Sequence, residues 1–123
     1  MKTDLIPSED QEQETLIQWC DAMRKTYPGV DLIYAIPNGG LRNKTTAAKL
    51  KATGVRPGVP DLFLPVARGK YHGLYIEMKR RKGGKVSVAQ KAYIDKLEQQ
   101  GYACQVCLGY EDAINVIRWY YKQ

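Results

Sequence analysis

The sequence predicts an α/β fold, a mixed central sheet with helices on both faces, and three observations lead to it. Leu62, Leu64 and Val66, and again Leu74, Ile76 and Met78, recur at every second position, the period of a strand that buries one face. Leu16, Trp19, Cys20 and Met23 recur at helical spacing. Strand-like and helix-like stretches then alternate along the chain, separated by glycine and proline, which is the pattern of layered α/β domains.

The elements follow in order. Ser8 is a good N-cap for a helix running to about Lys25, with acidic residues in its first turn where the helix dipole favours them. Tyr27-Pro28-Gly29 ends it, and a strand over Leu32–Ile36 follows, broken by Pro37-Asn38-Gly39-Gly40. A short helix from about Thr45 to Ala52 stops at Gly54. Gly58-Val59-Pro60 leads into a strand over Asp61–Val66, and a turn over residues 67–72 returns the chain into a strand over Gly73–Lys79. After a basic, glycine-containing loop over Arg80–Val86, Ser87 starts a helix that ends near Gly101. A strand over Tyr102–Leu108 and a helix of about Glu111–Tyr121 complete the order αβαββαβα.

The 123 residues suit one domain, 1–123, and no apolar run approaches the length of a membrane span. The polar, acidic N-terminus lacks an apolar signal core, so a cytoplasmic protein is expected. The net charge of +6 favours a polyanionic partner, nucleic acid above all. Three cysteines, Cys20, Cys104 and Cys107, without an export signal argue for reduced thiols. Cys104 and Cys107 form a CxxC, but on a strand they point to opposite faces, and no second pair of soft ligands completes a zinc site. Nothing calls for an organic cofactor.

The chemistry concentrates on two strands. On the third strand, Tyr75, Glu77 and Lys79 share the face opposite the apolar one, and a carboxylate beside an amine is costly to bury without a purpose. Asp61 opens the second strand; if the hairpin register is right it comes near Glu77, and two facing carboxylates repel unless a cation relieves them. Oxygen ligands without histidine or cysteine point to Mg²⁺, with Mn²⁺ able to replace it. Read alone, each motif also has a plain alternative, a solvated Glu–Lys pair and a turn aspartate.

The order Pro-Asp, a gap of fifteen residues, then Glu-x-Lys resembles the PD-(D/E)xK nuclease superfamily. SEDQEQETLIQW, YAIPNGGLRN, GVRPGVPDLFL, GLYIEMKRRKGGKVSVAQ and LEQQGY together resemble its VRR-NUC branch, over nearly the whole chain and in the short stand-alone form found in phages and bacteria. The resemblance implies a restriction-endonuclease-like core and a Mg²⁺-dependent endonuclease acting on DNA, in the manner of a Holliday-junction resolvase working as a homodimer. It implies that Asp61, Glu77 and the Met78 backbone carbonyl bind the metal, that Glu9 on the first helix completes the site, and that Lys79 positions the attacking water or stabilises charge on the phosphate. It also implies an active-site role for Gln90. Helical geometry leaves two of these assignments open. Glu9 shares a stripe with Gln13, Leu16, Cys20 and Met23, but Glu12 shares an adjacent one with Leu16 and Trp19 and is its rival. Gln90 fits a capping box with Ser87, which by itself would explain it.

Two basic loops are candidate DNA contacts: Arg80, Arg81, Lys82 and Lys85 after the third strand, and Asn38, Arg42 and Lys44 in the PNGG-x-R block, with Arg56 ahead of the Pro-Asp strand. None suggests base-specific reading, so structure-selective binding to branched or junction DNA is expected.

Overall fold

The computed structural model describes residues 5–37 and 44–123, without the side chains of 44–46. The chain forms α1 (Glu9–Ala22), a 3-10 turn (Val30–Leu32), β1 (Tyr34–Ala35), α2 (Lys44–Ala52), β2 (Leu62–Leu64), β3 (Leu74–Lys79), α3 (Val88–Gln99), β4 (Ala103–Leu108) and α4 (Tyr110–Tyr120). The expected α/β order is present. Among the described residues no helix is long and apolar enough to cross a membrane.

The sheet runs β1-β2-β3-β4, with β1 and β2 antiparallel, β2 and β3 antiparallel, and β3 and β4 parallel. Its mixed character follows from connection length. The turn between β2 and β3 permits a hairpin, whereas α3 carries the chain from the end of β3 back to the start of β4. Leu74, Ile76 and Met78 present one face of β3, fully buried, to Leu16 and Cys20 of α1 and Ala113, Ile117 and Tyr120 of α4. α3 packs against β4, and Gln90 in its first turn reaches Glu77 on the opposite face.

Both long N-caps work as the sequence suggests. Ser8 accepts the Gln11 amide at 3.2 Å and Ser87 accepts the Gln90 amide at 3.1 Å, with the glutamines answering in each case. The strand expected over Leu32–Ile36 is cut to two residues. Gly29, at φ 89°, lets the chain reverse after α1, and Val30–Leu32 wind into the 3-10 turn instead, with the Leu32 amide bonded to the Gly29 carbonyl at 3.0 Å.

The last helix is fastened by Tyr120, fully buried, whose hydroxyl donates to the Val66 carbonyl at 2.6 Å beyond the end of β2. Tyr120→Phe keeps the ring but leaves that carbonyl without its partner, so chemical denaturation should show a loss of about 1 kcal/mol. An unchanged midpoint would mean that this bond adds nothing to the docking of α4.

Candidate active site

The hairpin register builds the site. β2 and β3 pair Leu62 with Ile76, Phe63 with Tyr75 and Leu64 with Leu74. One step further along the same ladder, Asp61 stands opposite Glu77. On its other side the Asp61 carbonyl accepts the Ile36 amide at 2.7 Å, which ties β1 to the same row. The Asp61 carboxylate turns toward β3 and accepts the Met78 amide through Oδ2 at 2.8 Å. Pro60, fully buried, fixes the approach to this position.

Glu77 is 3% exposed. Its Oε2 accepts from Gln90 Nε2 at 2.7 Å and lies 3.2 Å from Lys79 Nζ, while its Oε1 is buried without a hydrogen-bond partner. Lys79 itself is 9% exposed. Burial above all, and then the Asp61 charge, push the Glu77 carboxyl up to about 7, against the opposing pull of Lys79. Gln90 bonds in two directions. Its Oε1 accepts the Ser87 amide at 2.9 Å and closes the capping box, and its Nε2 holds Glu77. Gly58 makes this possible. At φ 86° its α-carbon lies so close to the start of α3 that an added Cβ would sit 2.3 Å from the Ala89 carbonyl oxygen. The loop carrying Asp61 and the turn carrying Gln90 are thus pressed together.

A buried carboxylate oxygen with no partner, a second carboxylate beside it and no thiolate or imidazole form a donor set suited to a hard divalent cation. Asp61 and Glu77 would hold it. The three cysteines are free and buried, with burial pushing each thiol up to about 12, so they are packing groups. Among the described residues no three carboxylate, imidazole or thiol groups gather closely enough for one ion. Glu9 accordingly stands apart from Asp61 and Glu77, exposed on the first turn of α1.

Its rival Glu12 is the inward-facing carboxylate, at 1% exposure. It is engaged elsewhere. Arg81 Nε meets Glu12 Oε2 at 2.8 Å, the Tyr110 amide donates to Glu12 Oε1 at 3.3 Å, and the Arg81 hydrogen bond is the foremost cause holding the Glu12 carboxyl below its usual value. Arg81 also reaches Glu111 at 3.4 Å and lies over the Tyr110 ring at 5.4 Å. Of the basic loop after β3, Arg81 is thus held on the protein, and a phosphate would have to compete for it. Arg80 is exposed and donates to the Ile6 carbonyl at 3.3 Å, and Lys82 and Lys85 are exposed. Arg56 is exposed as well. Asn38 and Arg42 lie outside the described residues, as does the side chain of Lys44. The Glu12–Arg81 pair escaped the sequence reading; the inward stripe shared by Glu12, Leu16 and Trp19 was its one local signal.

A raised Glu77 carboxyl carries a stability signature. Unfolded, the group titrates near 4.5; folded, near 7. Between those values the folded state binds the extra proton, so the metal-free protein loses stability as pH rises through that window and keeps the deficit above it. Glu77→Gln should therefore melt higher than wild type in EDTA at pH 7.5, by roughly 5 °C, with the gap closing toward pH 4.5. A gap that does not vary with pH would mean that Glu77 is ionised throughout.

The VRR-NUC domain model matches residues 7–111. A solved structure titled "VRR_NUC domain protein" is 36% identical and superimposes with a TM-score of 0.82, covering 96% of this chain and 91% of the other. No curated protein matches significantly. The four-stranded sheet and its flanking helices agree with that structure's fold, and the family model spans both the Pro-Asp strand and the Glu-x-Lys strand: the chain belongs to the VRR-NUC family, a nuclease-type domain family.

Proposed function

We propose that this protein is a divalent-metal-dependent DNA endonuclease, using Mg²⁺ with Mn²⁺ as a substitute, that hydrolyses phosphodiester bonds in branched DNA in the manner of a Holliday-junction resolvase. The observation that carries this reading is the Glu77 carboxylate, buried opposite Asp61 with one oxygen unpartnered and the Lys79 ammonium alongside. Family membership supports the nuclease class.

Phosphodiesters resist hydrolysis because their charge repels the nucleophile. A bound cation would neutralise that charge and acidify the attacking water. The chain's own part is positional. The Met78 amide fixes the Asp61 carboxylate, and Gln90 fixes the rotamer of Glu77. The backbone carbonyl of Met78 is the nearest main-chain oxygen candidate for a further ligand. Lys79, on the same face of β3 as Glu77, brings a positive charge to where negative charge grows on the phosphate. Two carboxylates are enough for a cation that keeps several waters and shares the phosphate of its substrate. Glu9 remains a candidate only through an intervening water. Arg80, Lys82, Lys85 and Arg56 would track the DNA backbone, consistent with a net charge of +6. The reading extends to a homodimer, whose two-fold symmetry suits paired cuts across a junction, and to the cytoplasm of a bacterial host, with phage origin.

Lys79→Ala and Asp61→Ala should each lower Mg²⁺-dependent cleavage of a four-way junction by roughly 10²–10³-fold, while gel-shift affinity in EDTA stays within a few-fold of wild type. Full activity in Asp61→Ala would remove the site from the mechanism. Paired, symmetric nicks in the junction with weak cutting of flaps and linear duplex support the resolvase reading. Equal cutting of flaps would replace it with a general flap or nicking nuclease. Binding without cleavage of any substrate would leave a DNA-binding module on the same fold. Sedimentation velocity of the free protein tests the dimer.

A further inference from the structure

The carboxylate row does not end at Asp61. Ile36 continues it, its amide bonded to the Asp61 carbonyl at 2.7 Å. Ile36 also lines a cavity of about 370 Å³, together with Pro37, Thr53, Val55, Arg56 and Tyr93 of α3. Its size falls in the range of pockets that hold small ligands, roughly 300–1,000 Å³. Its position sets the occupant. Neighbouring strands lie about 4.8 Å apart, so the cavity begins within one strand of Asp61. That offset is comparable to the step from one nucleotide to the next along a DNA strand.

The lining supplies the chemistry of a base, not of a phosphate alone. Ile36, Pro37, Val55 and Tyr93 supply aliphatic and aromatic surface beside the polar Thr53 and Arg56, and an aromatic residue is what stacking of a base requires. The Thr53 hydroxyl is already donated to the backbone of α2, 3.0 Å from the Lys49 and Leu50 carbonyls, so it has no proton left to read a base edge. Arg56 is exposed and lines the same cavity, so its guanidinium would be available to the phosphate of an entering nucleotide. A slot with an aromatic residue to stack on and an arginine among its lining residues holds a base chiefly by stacking, which every base offers. It selects for a base that is free to leave its helix, which is cheapest where pairing is already broken.

We infer that this cavity binds one unpaired nucleobase next to the scissile phosphate, seated on Tyr93 with its phosphate on Arg56. This rests on DNA being the substrate, and it names the structural feature that the site recognises: an unpaired or splayed nucleotide at a branch.

The test uses a branched duplex with one unpaired nucleotide at the branch point, bound by the full-length protein in EDTA so that nothing is cut. With 5-iododeoxyuridine at that position, irradiation should crosslink the DNA to Tyr93 or the Ile36–Pro37 wall. Replacing the unpaired nucleotide by an abasic one should weaken binding by roughly tenfold, the scale of one lost stacking contact. Val55→Trp, which fills the cavity, should weaken binding of the intact substrate to the abasic level and leave the abasic substrate unaffected. Tyr93→Leu, which removes the ring without filling the space, should produce a smaller loss. Crosslinks confined to other residues, or equal affinity for the intact and abasic substrates, would overturn the pocket while leaving the nuclease reading intact. Failure to bind any DNA would overturn both.

Discussion

Two carboxylates are forced to face one another because β2 and β3 form an antiparallel hairpin whose register fixes Asp61 opposite Glu77. That register is not free to slip. A shift of one residue would turn either Leu62 and Leu64 or Leu74, Ile76 and Met78 away from α1 and α4 and expose them to water. The apolar face of the hairpin therefore holds the polar face in place. Burial of the two or three large side chains that a slip would expose, about 1.5–3 kcal/mol each, outweighs the repulsion between two acids, and the fold carries that repulsion as a standing strain.

The surroundings of Glu77 show how the strain is contained. Three groups approach the pair from different parts of the chain: the Met78 amide from β3 itself, Gln90 from α3 and Lys79 from the next outward position on the strand. They satisfy Asp61 Oδ2 and Glu77 Oε2 and leave Glu77 Oε1 buried without a partner. Burial first, and then the Asp61 charge, favour a proton on Glu77 in the metal-free protein and push its carboxyl up to about 7. A cation would answer that repulsion better than a proton, since it engages both carboxylates at once. The proton and the cation would thus compete for the same group.

The sheet was legible in the sequence because a period of two over β3 leaves little choice of which face is buried, and the N-cap at Ser8 and the capping box at Ser87 marked helix starts to within a residue. What escaped depended on partners distant in sequence. Glu9 and Glu12 lie on adjoining stripes of one helix, and local spacing could not say which is turned inward; that is settled by Arg81, 69 residues away, together with the Tyr110 amide. The short β1 escaped for a local reason: Val30, Leu32 and Ile33 are apolar enough to be a strand, but the left-handed Gly29 sends them into a tight turn first. Gln90 was ambiguous because one side chain bonds in both directions. An amide has an acceptor at one end and a donor at the other, so one side chain can cap its helix and hold a carboxylate across the sheet.

Arg81 shows the same economy at the far end of β3. The sequence KRRKGGK reads as a uniform basic run, yet its members are not equivalent. Arg81 crosses Gly109, where an added Cβ would come within 2.8 Å of its Nε, to reach Glu12. Gly109 in turn donates its amide to the Lys79 carbonyl at 3.1 Å. One arginine thus joins α1, the start of α4 and the strand end that carries Lys79. One charge of the run anchors the loop to the protein while its neighbours stay exposed, and the buried carboxylate of Glu12 is what tells them apart.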